Sequence, residues 1–182
     1  MEKGLKISLL ALLLIAGSSF ADCYRADQDS GRLEFEGVAD GSGFTGSFGE
    51  FEVSLCMDES LADAEIRVTV KTGSADTGNR LRDGELHGKN LFAVDAFPES
   101  TWTSASIEAD GDGFVAEGDL TLRDITKNQP VKLQLDGNVL TGSANILRLD
   151  WGVGQGDDFE DPDFVRNRVE LSFELTLEPA AE

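Results

Sequence analysis

The sequence predicts an all-β fold, an eight-stranded antiparallel barrel with a short helical segment between strands 3 and 4. Three observations lead there. Apolar residues recur at every second position in run after run, Gly-rich turn signals separate several of the runs, and one connection of 27 residues breaks the rhythm.

The runs follow in chain order. Residues 32–38 alternate weakly, and Phe51, Val53, Leu55 and Met57 alternate with Glu52, Ser54 and, after a short break, Asp58. Ile66, Val68 and Val70 are set against Glu65, Arg67, Thr69 and Lys71. Weaker runs cover 101–108, 114–123 and 139–149, and Val131, Leu133 and Leu135 form a short clear one. The last is the cleanest: Val169, Leu171, Phe173, Leu175 and Leu177 alternate with Glu170, Ser172, Glu174, Thr176 and Glu178. One apolar and one wet face is the mark of an antiparallel sheet. Asp40-Gly41-Ser42-Gly43, Asp110-Gly111-Asp112-Gly113 and Asp136-Gly137-Asn138 supply hairpin turns. Closure of eight strands removes exposed edges, and eight is the size at which the interior holds one small ligand. A two-sheet sandwich is the structural rival.

Residues 73–99 are too long for a hairpin loop and need structure or function of their own. Asn79 caps a short helix through Leu86, and Gly88 ends it. Leu91, Phe92, Val94 and Phe97 follow, either as a lid across one barrel mouth or as a plug of its end.

Ahead of the first run, Lys3 and Lys6 precede an apolar stretch from Ile7 to Ala16, and Gly17, Ser18, Ser19, Phe20 and Ala21 supply the small-residue end of an export signal. Residues 1–21 are therefore read as a cleaved signal peptide and 22–182 as one barrel domain. The apolar stretch is well short of the roughly 20 residues that cross a bilayer, so no stable membrane anchor is expected. The expected location is the periplasm, with full secretion as the alternative. Removing Glu2, Lys3 and Lys6 takes the formal charge from −20 to −21. With 35 acids against 15 bases, phosphate-backbone binding lacks its driving force, and no nucleic-acid partner is expected.

In an oxidising compartment two cysteines suggest a bridge. If the runs on either side of Ala39, Asp40 and Gly41 form a hairpin, opposed residues have numbers adding to about 80, and Cys23 with Cys56 fits. Two buried free thiols are the alternative.

His87 is the one histidine, so multi-histidine metal sites are excluded, and no nucleophile motif accompanies it. No cofactor and no enzymatic activity are expected. Asp157, Asp158, Glu160, Asp161 and Asp163 form an acidic loop without calcium-loop spacing. Arg82 stands on the helical segment as a donor for a polar head group, or in an ion pair with Asp83. Arg148 and Asp150 are read as a paired group at the rim. Phe35, Phe44, Phe48, Phe51, Phe92, Phe97, Trp102 and Trp151 would supply either a long apolar cavity or a packed core.

Taken in order, Tyr24, Asp27, Leu33 and Phe35, Phe44-Thr-Gly-Ser-Phe48 and Phe51, Arg82-Asp83 and Leu86, Phe97-Pro98, Gly118-Asp-Leu-Thr-Leu122 and Leu147-Arg-Leu-Asp-Trp-Gly152 resemble the YceI-like family. The likeness runs through the mature chain. It implies a lipocalin-like antiparallel barrel in an exported bacterial protein that binds polyisoprenoid lipids or isoprenoid quinones. Ser30 and Gly31 stand where many members carry His-Ser, and the cysteine pair is not general in the family. The resemblance adds Leu120 and Leu122 to the cavity wall. The expected ligand-binding set is then Phe35, Phe48, Phe51, Arg82, Leu86, Leu91, Phe92, Phe97, Trp102, Leu120, Leu122 and Trp151, with Cys23 and Cys56 as the disulfide. The expected function is an extracytoplasmic protein that sequesters or carries an isoprenoid lipid or quinone, and a homodimer is compatible with it. The alternative is a stress-related envelope interaction protein whose barrel is packed and takes no lipid.

Overall fold

The computed structural model describes residues 22–156 and 158–180; the expected leader lies outside them. Thirteen strands and one α-helix stand among the described residues, in the order β1 (Asp22–Asp27), β2 (Gly31–Ala39), β3 (Ser42–Phe48), β4 (Phe51–Met57), β5 (Glu65–Lys71), β6 (Ala75–Asp76), α1 (Arg80–His87), β7 (Glu99–Asp110), β8 (Gly113–Leu122), β9 (Ile125–Asn128), β10 (Val131–Asp136), β11 (Val139–Leu147), β12 (Arg168–Thr176) and β13 (Glu178–Pro179). All pair antiparallel in one sheet, ordered β13-β1-β4-β5-β7-β8-β10-β11-β12-β2-β3-β6, with β9 beside β8. Leu177 alone separates β12 from β13, yet β12 pairs with β2 while β13 pairs with β1. Strands first and ninth in the order are thus neighbours along the chain, and the sheet curls into a barrel-like wall rather than splitting into a sandwich.

The strand count of eight is corrected by the five segments that alternation does not reveal. β3 reads Ser-Gly-Phe-Thr-Gly-Ser-Phe, β9 is exposed throughout, β6 and β13 have two residues each, and β1 is polar at most positions. The helix accordingly falls between β6 and β7, not between the third and fourth strands. Asn79 accepts from the N–H groups of Leu81 and Arg82 at 3.1 and 3.2 Å, which satisfies two of the free donors at its start.

The three Asp-Gly signals each make a two-residue hairpin loop, closed by the pairs Ala39–Ser42, Asp110–Gly113 and Asp136–Val139. Asp40 and Gly41 both take positive φ, 48° and 69°, the geometry that suits the right-handed twist of the flanking strands. Behind this turn the chain is one long bent hairpin: β2 pairs with β3, and β1 with β4. Cys23 lies opposite Cys56 in the second ladder, and the two are joined in a disulfide across 33 positions of sequence. In the chain-entropy model such a loop closure stabilises by about 3 to 4 kcal/mol.

Candidate functional site

The inward faces of the strands do not fill the space they enclose. They leave an apolar cavity of about 780 Å³, roughly 26 times the 30 Å³ share of one water molecule in the liquid. A fully packed interior, the premise of the alternative reading, is therefore not what the structure has. Four aromatic rings explain the space. A side-chain carbon on Gly46 would come within 2.4 Å of the Phe35 ring, one on Gly37 within 2.7 Å of Phe44, one on Gly142 within 2.3 Å of Phe173, and one on Gly118 within 2.5 Å of Trp102. Each ring lies on the bare backbone of a neighbouring strand. Flattened along the wall, the rings line the lumen instead of crossing it.

Ten of the expected residues border this cavity: Phe35, Phe48, Phe51, Arg82, Leu86, Leu91, Phe92, Trp102, Leu120 and Leu122. Phe35, Phe48 and Phe92 form a chain of rings, with centroids 5.1 and 6.1 Å apart. Trp102 is buried, and its indole N–H donates to the Gln129 carbonyl at 2.9 Å, so only its apolar edge faces the space.

Two expected residues stand elsewhere. β11 stops at Leu147, and a tight turn over Arg148–Trp151, ended by Gly152 at φ 69°, swings Trp151 into the core, where its indole N–H donates to the Leu120 carbonyl. Phe97 closes a turn begun at Ala93, and its ring lies 5.7 Å from the Arg123 guanidinium. Neither residue borders the cavity.

The mouth is framed by two segments. On one side are Asn79, Leu81, Arg82 and Glu85 of the helical segment, with Leu86, Leu91 and Phe92 reaching farther in. On the other are Val153, Phe159, Phe164 and Val165. Leu81 is 85% exposed although it borders the cavity, which places it at the opening. Arg123 fastens the far end of the helical segment, donating to the carbonyls of Lys89 and Asn90, while Gly154 N–H donates to Asn90 as well.

Arg82 makes no ion pair with Asp83. Its Nε donates to the Thr77 hydroxyl at 2.9 Å, and its guanidinium lies 4.6 Å from the Phe44 ring centre. Thr77 in turn donates its hydroxyl and its backbone N–H to Asp83. The hydroxyl bond holds the Asp83 carboxyl below the ordinary carboxylate range, against the opposing effect of burial. His87 is half-buried rather than a plain surface residue, its Nε2 2.8 Å from the Ala75 carbonyl.

Arg148 is not paired with Asp150. It is 4% exposed, and it donates to the carbonyls of Val153 at 2.7 Å, Val165 at 2.5 Å, Arg166 at 3.2 Å and Phe159. Burial pushes its pKa down from the usual arginine value. One guanidinium thereby ties Val153, Phe159, Val165 and Arg166 together.

Sequence reasoning missed Phe159 and Phe164, which sit in an acidic stretch without periodicity. It also missed Val169, Leu171, Phe173 and Leu175 as cavity residues, although their alternation had already placed them on the inner face.

A YceI-like domain matches residues 24–177. The chain belongs to the YceI-like family. Among its relatives, a UPF0312 protein of Yersinia pestis (strain Pestoides F) is 35% identical over 145 residues, covering 78% of this chain and 73% of that protein. A second, from Yersinia enterocolitica serotype O:8, is 33% identical over the same length. In fold, this YceI-like chain is similar to the crystal structure of Burkholderia cenocepacia BcnA, with a TM-score of 0.73 at 24% identity over 84% of this chain and 99% of that one. It is also similar to a polyisoprenoid binding domain from Saccharophagus degradans, with a TM-score of 0.62 at 16% identity over 88% and 100%.

Proposed function

We propose that the protein is an extracytoplasmic carrier or sequestering protein that holds an isoprenoid lipid or quinone in its apolar cavity, with residues 1–21 as the export leader. The observation that carries the reading is the unfilled apolar lumen of about 780 Å³, within the size range of sites that bury small molecules. The family and the polyisoprenoid binding domain of similar fold support the ligand class. Phe35, Phe48, Phe51, Leu86, Leu91, Phe92, Trp102, Leu120 and Leu122 would contact the chain, and Arg82 the head at the mouth. Each methylene moved from water into such a space contributes about 0.8 kcal/mol, so a long hydrocarbon is retained without covalent or metal chemistry. Binding, not catalysis, is the role proposed.

Organic extraction of the purified protein followed by mass spectrometry tests this. The expected result is a co-purifying isoprenoid, or stoichiometric uptake of ubiquinone or polyprenyl phosphate by protein that arrives empty. Failure of both would remove the proposal.

A further inference from the structure

The cavity does not end at bare solvent on the side of Arg82. Phe44 and Arg82, which border it, also border a second, polar groove of about 540 Å³ that runs past the end of the β2–β3 hairpin. Three arginines line this groove: Arg82 from α1, and Arg166 and Arg168 from the approach to β12 and its first residue. The backbone N–H of Arg166 donates to the Val38 carbonyl at 2.9 Å, which fixes that approach against the hairpin. Two carboxylates, Glu36 and Glu170, share the groove, so three positive charges face two negative ones in a chain whose formal charge is −20.

The other arginines are engaged, apart from Arg67 and Arg80, which lack side-chain partners among the described residues but do not line the groove. Arg25 and Arg32 are spent on Glu178 and on Glu34 and Glu174, and Arg123 and Arg148 on backbone carbonyls. Among the described residues, the side chains of Arg166 and Arg168 have no hydrogen-bond or ion-pair partner, and Arg82 uses its Nε alone. Its two terminal nitrogens are held in place by the Phe44 ring and the Thr77 hydroxyl, yet they donate to nothing. A fixed guanidinium with idle terminal N–H groups is suited to a tetrahedral oxyanion, which accepts two parallel hydrogen bonds from it.

From this juxtaposition of an apolar lumen and an arginine-lined groove we infer that the groove is a head-group subsite for the phosphate-type anion of an amphiphile whose hydrocarbon chain lies in the cavity. The inference rests on the carrier reading above and narrows it: a neutral quinone head leaves the three arginines unused, whereas a phosphate monoester or diester engages them.

Titration of tryptophan fluorescence with farnesyl phosphate, farnesol and inorganic phosphate separates the possibilities, since Trp102 borders the cavity. In the unaltered protein, farnesyl phosphate is expected to bind at least about tenfold more tightly than farnesol, as hydrogen bonds to charged groups imply. In the R82A/R166A/R168A variant that ratio should fall towards one, whereas R67A, which removes one such charge outside the groove, should keep it. Equal binding of the two prenyl compounds, a ratio that survives the triple variant, or an equal loss in R67A would overturn the head-group site and leave the cavity reading standing. Binding of neither prenyl compound would remove the cavity reading and the subsite together. Inorganic phosphate matching farnesyl phosphate in affinity would assign the groove to a free anion and overturn the lipid-head assignment.

Discussion

Two segments frame the cavity mouth, and they are fastened in opposite ways. Residues 153–156 and 158–166 are held from the inside, by a buried guanidinium that donates to four backbone carbonyls. Residues 77–87 are held nearer the surface, by the exposed Asn79 cap and by the part-buried Thr77–Asp83 bonds and contact of His87 with Ala75. Similar polar chemistry has different strength in the two places. A buried hydrogen bond cannot be exchanged for one to water, so losing it strands its acceptor, whereas an exposed bond is replaced by solvent at little cost. The helical side is therefore expected to be the more weakly held of the two, and the arginine-stitched side the firmer.

The strongest way to break this contrast is Arg148→Met, which keeps much of the side chain's bulk and deletes every donor. At about 1 kcal/mol or more for each stranded carbonyl, the expected loss is about 4 kcal/mol of unfolding free energy, read from urea denaturation. A loss below about 1 kcal/mol would show that the 153–166 segment is held by something else.

Asn79→Ala should cost less, about 1 kcal/mol, because it removes only the helix cap. Hydrogen exchange localises the effect: amides of Arg80–His87 should exchange faster, while those of 153–166 keep their protection. Equal acceleration in both segments would mean that they move as one.

The smallest effect concerns pH. Asp83 has its pKa lowered in the folded protein by the Thr77 hydroxyl. Its contribution is thus fully present above the unfolded value of about 3.9 and is lost as pH falls through the lower folded value. Helix protection measured by exchange should drop in acid below about pH 4, and Thr77→Val should abolish that component of the drop. An acid response unchanged in Thr77→Val would exclude the pair as its source.

The legible parts of this molecule are those that repeat. Alternation placed the strongest strands, and the Asp-Gly pairs placed three hairpins, because each rests on interactions within a few residues. The arithmetic of one bent hairpin brought Cys23 to Cys56 before any ladder was visible. What escaped depends on contacts distant in sequence. β6, β9 and β13 exist as strands only because a neighbour offers a free edge. Trp151 looks like a strand residue until the turn after Leu147 rotates it away, and the partners of Arg148 are main-chain atoms that carry no residue signature. Arg82 was legible as a head-group donor, but Arg166 and Arg168 were out of reach for the same reason, since they meet it only through the curl of the sheet.

The rings resting on strand glycines carry a consequence for the width of the cavity. Capacity here is set by four hydrogen atoms standing where methyl groups would otherwise be. A Gly37→Ala change would meet only the Phe44 ring and tip it towards the axis, narrowing the space, whereas at 46, 118 and 142 the added carbon would also press on the carbonyl oxygens of Asp76, Thr103 and Lys132, so those strands would have to part.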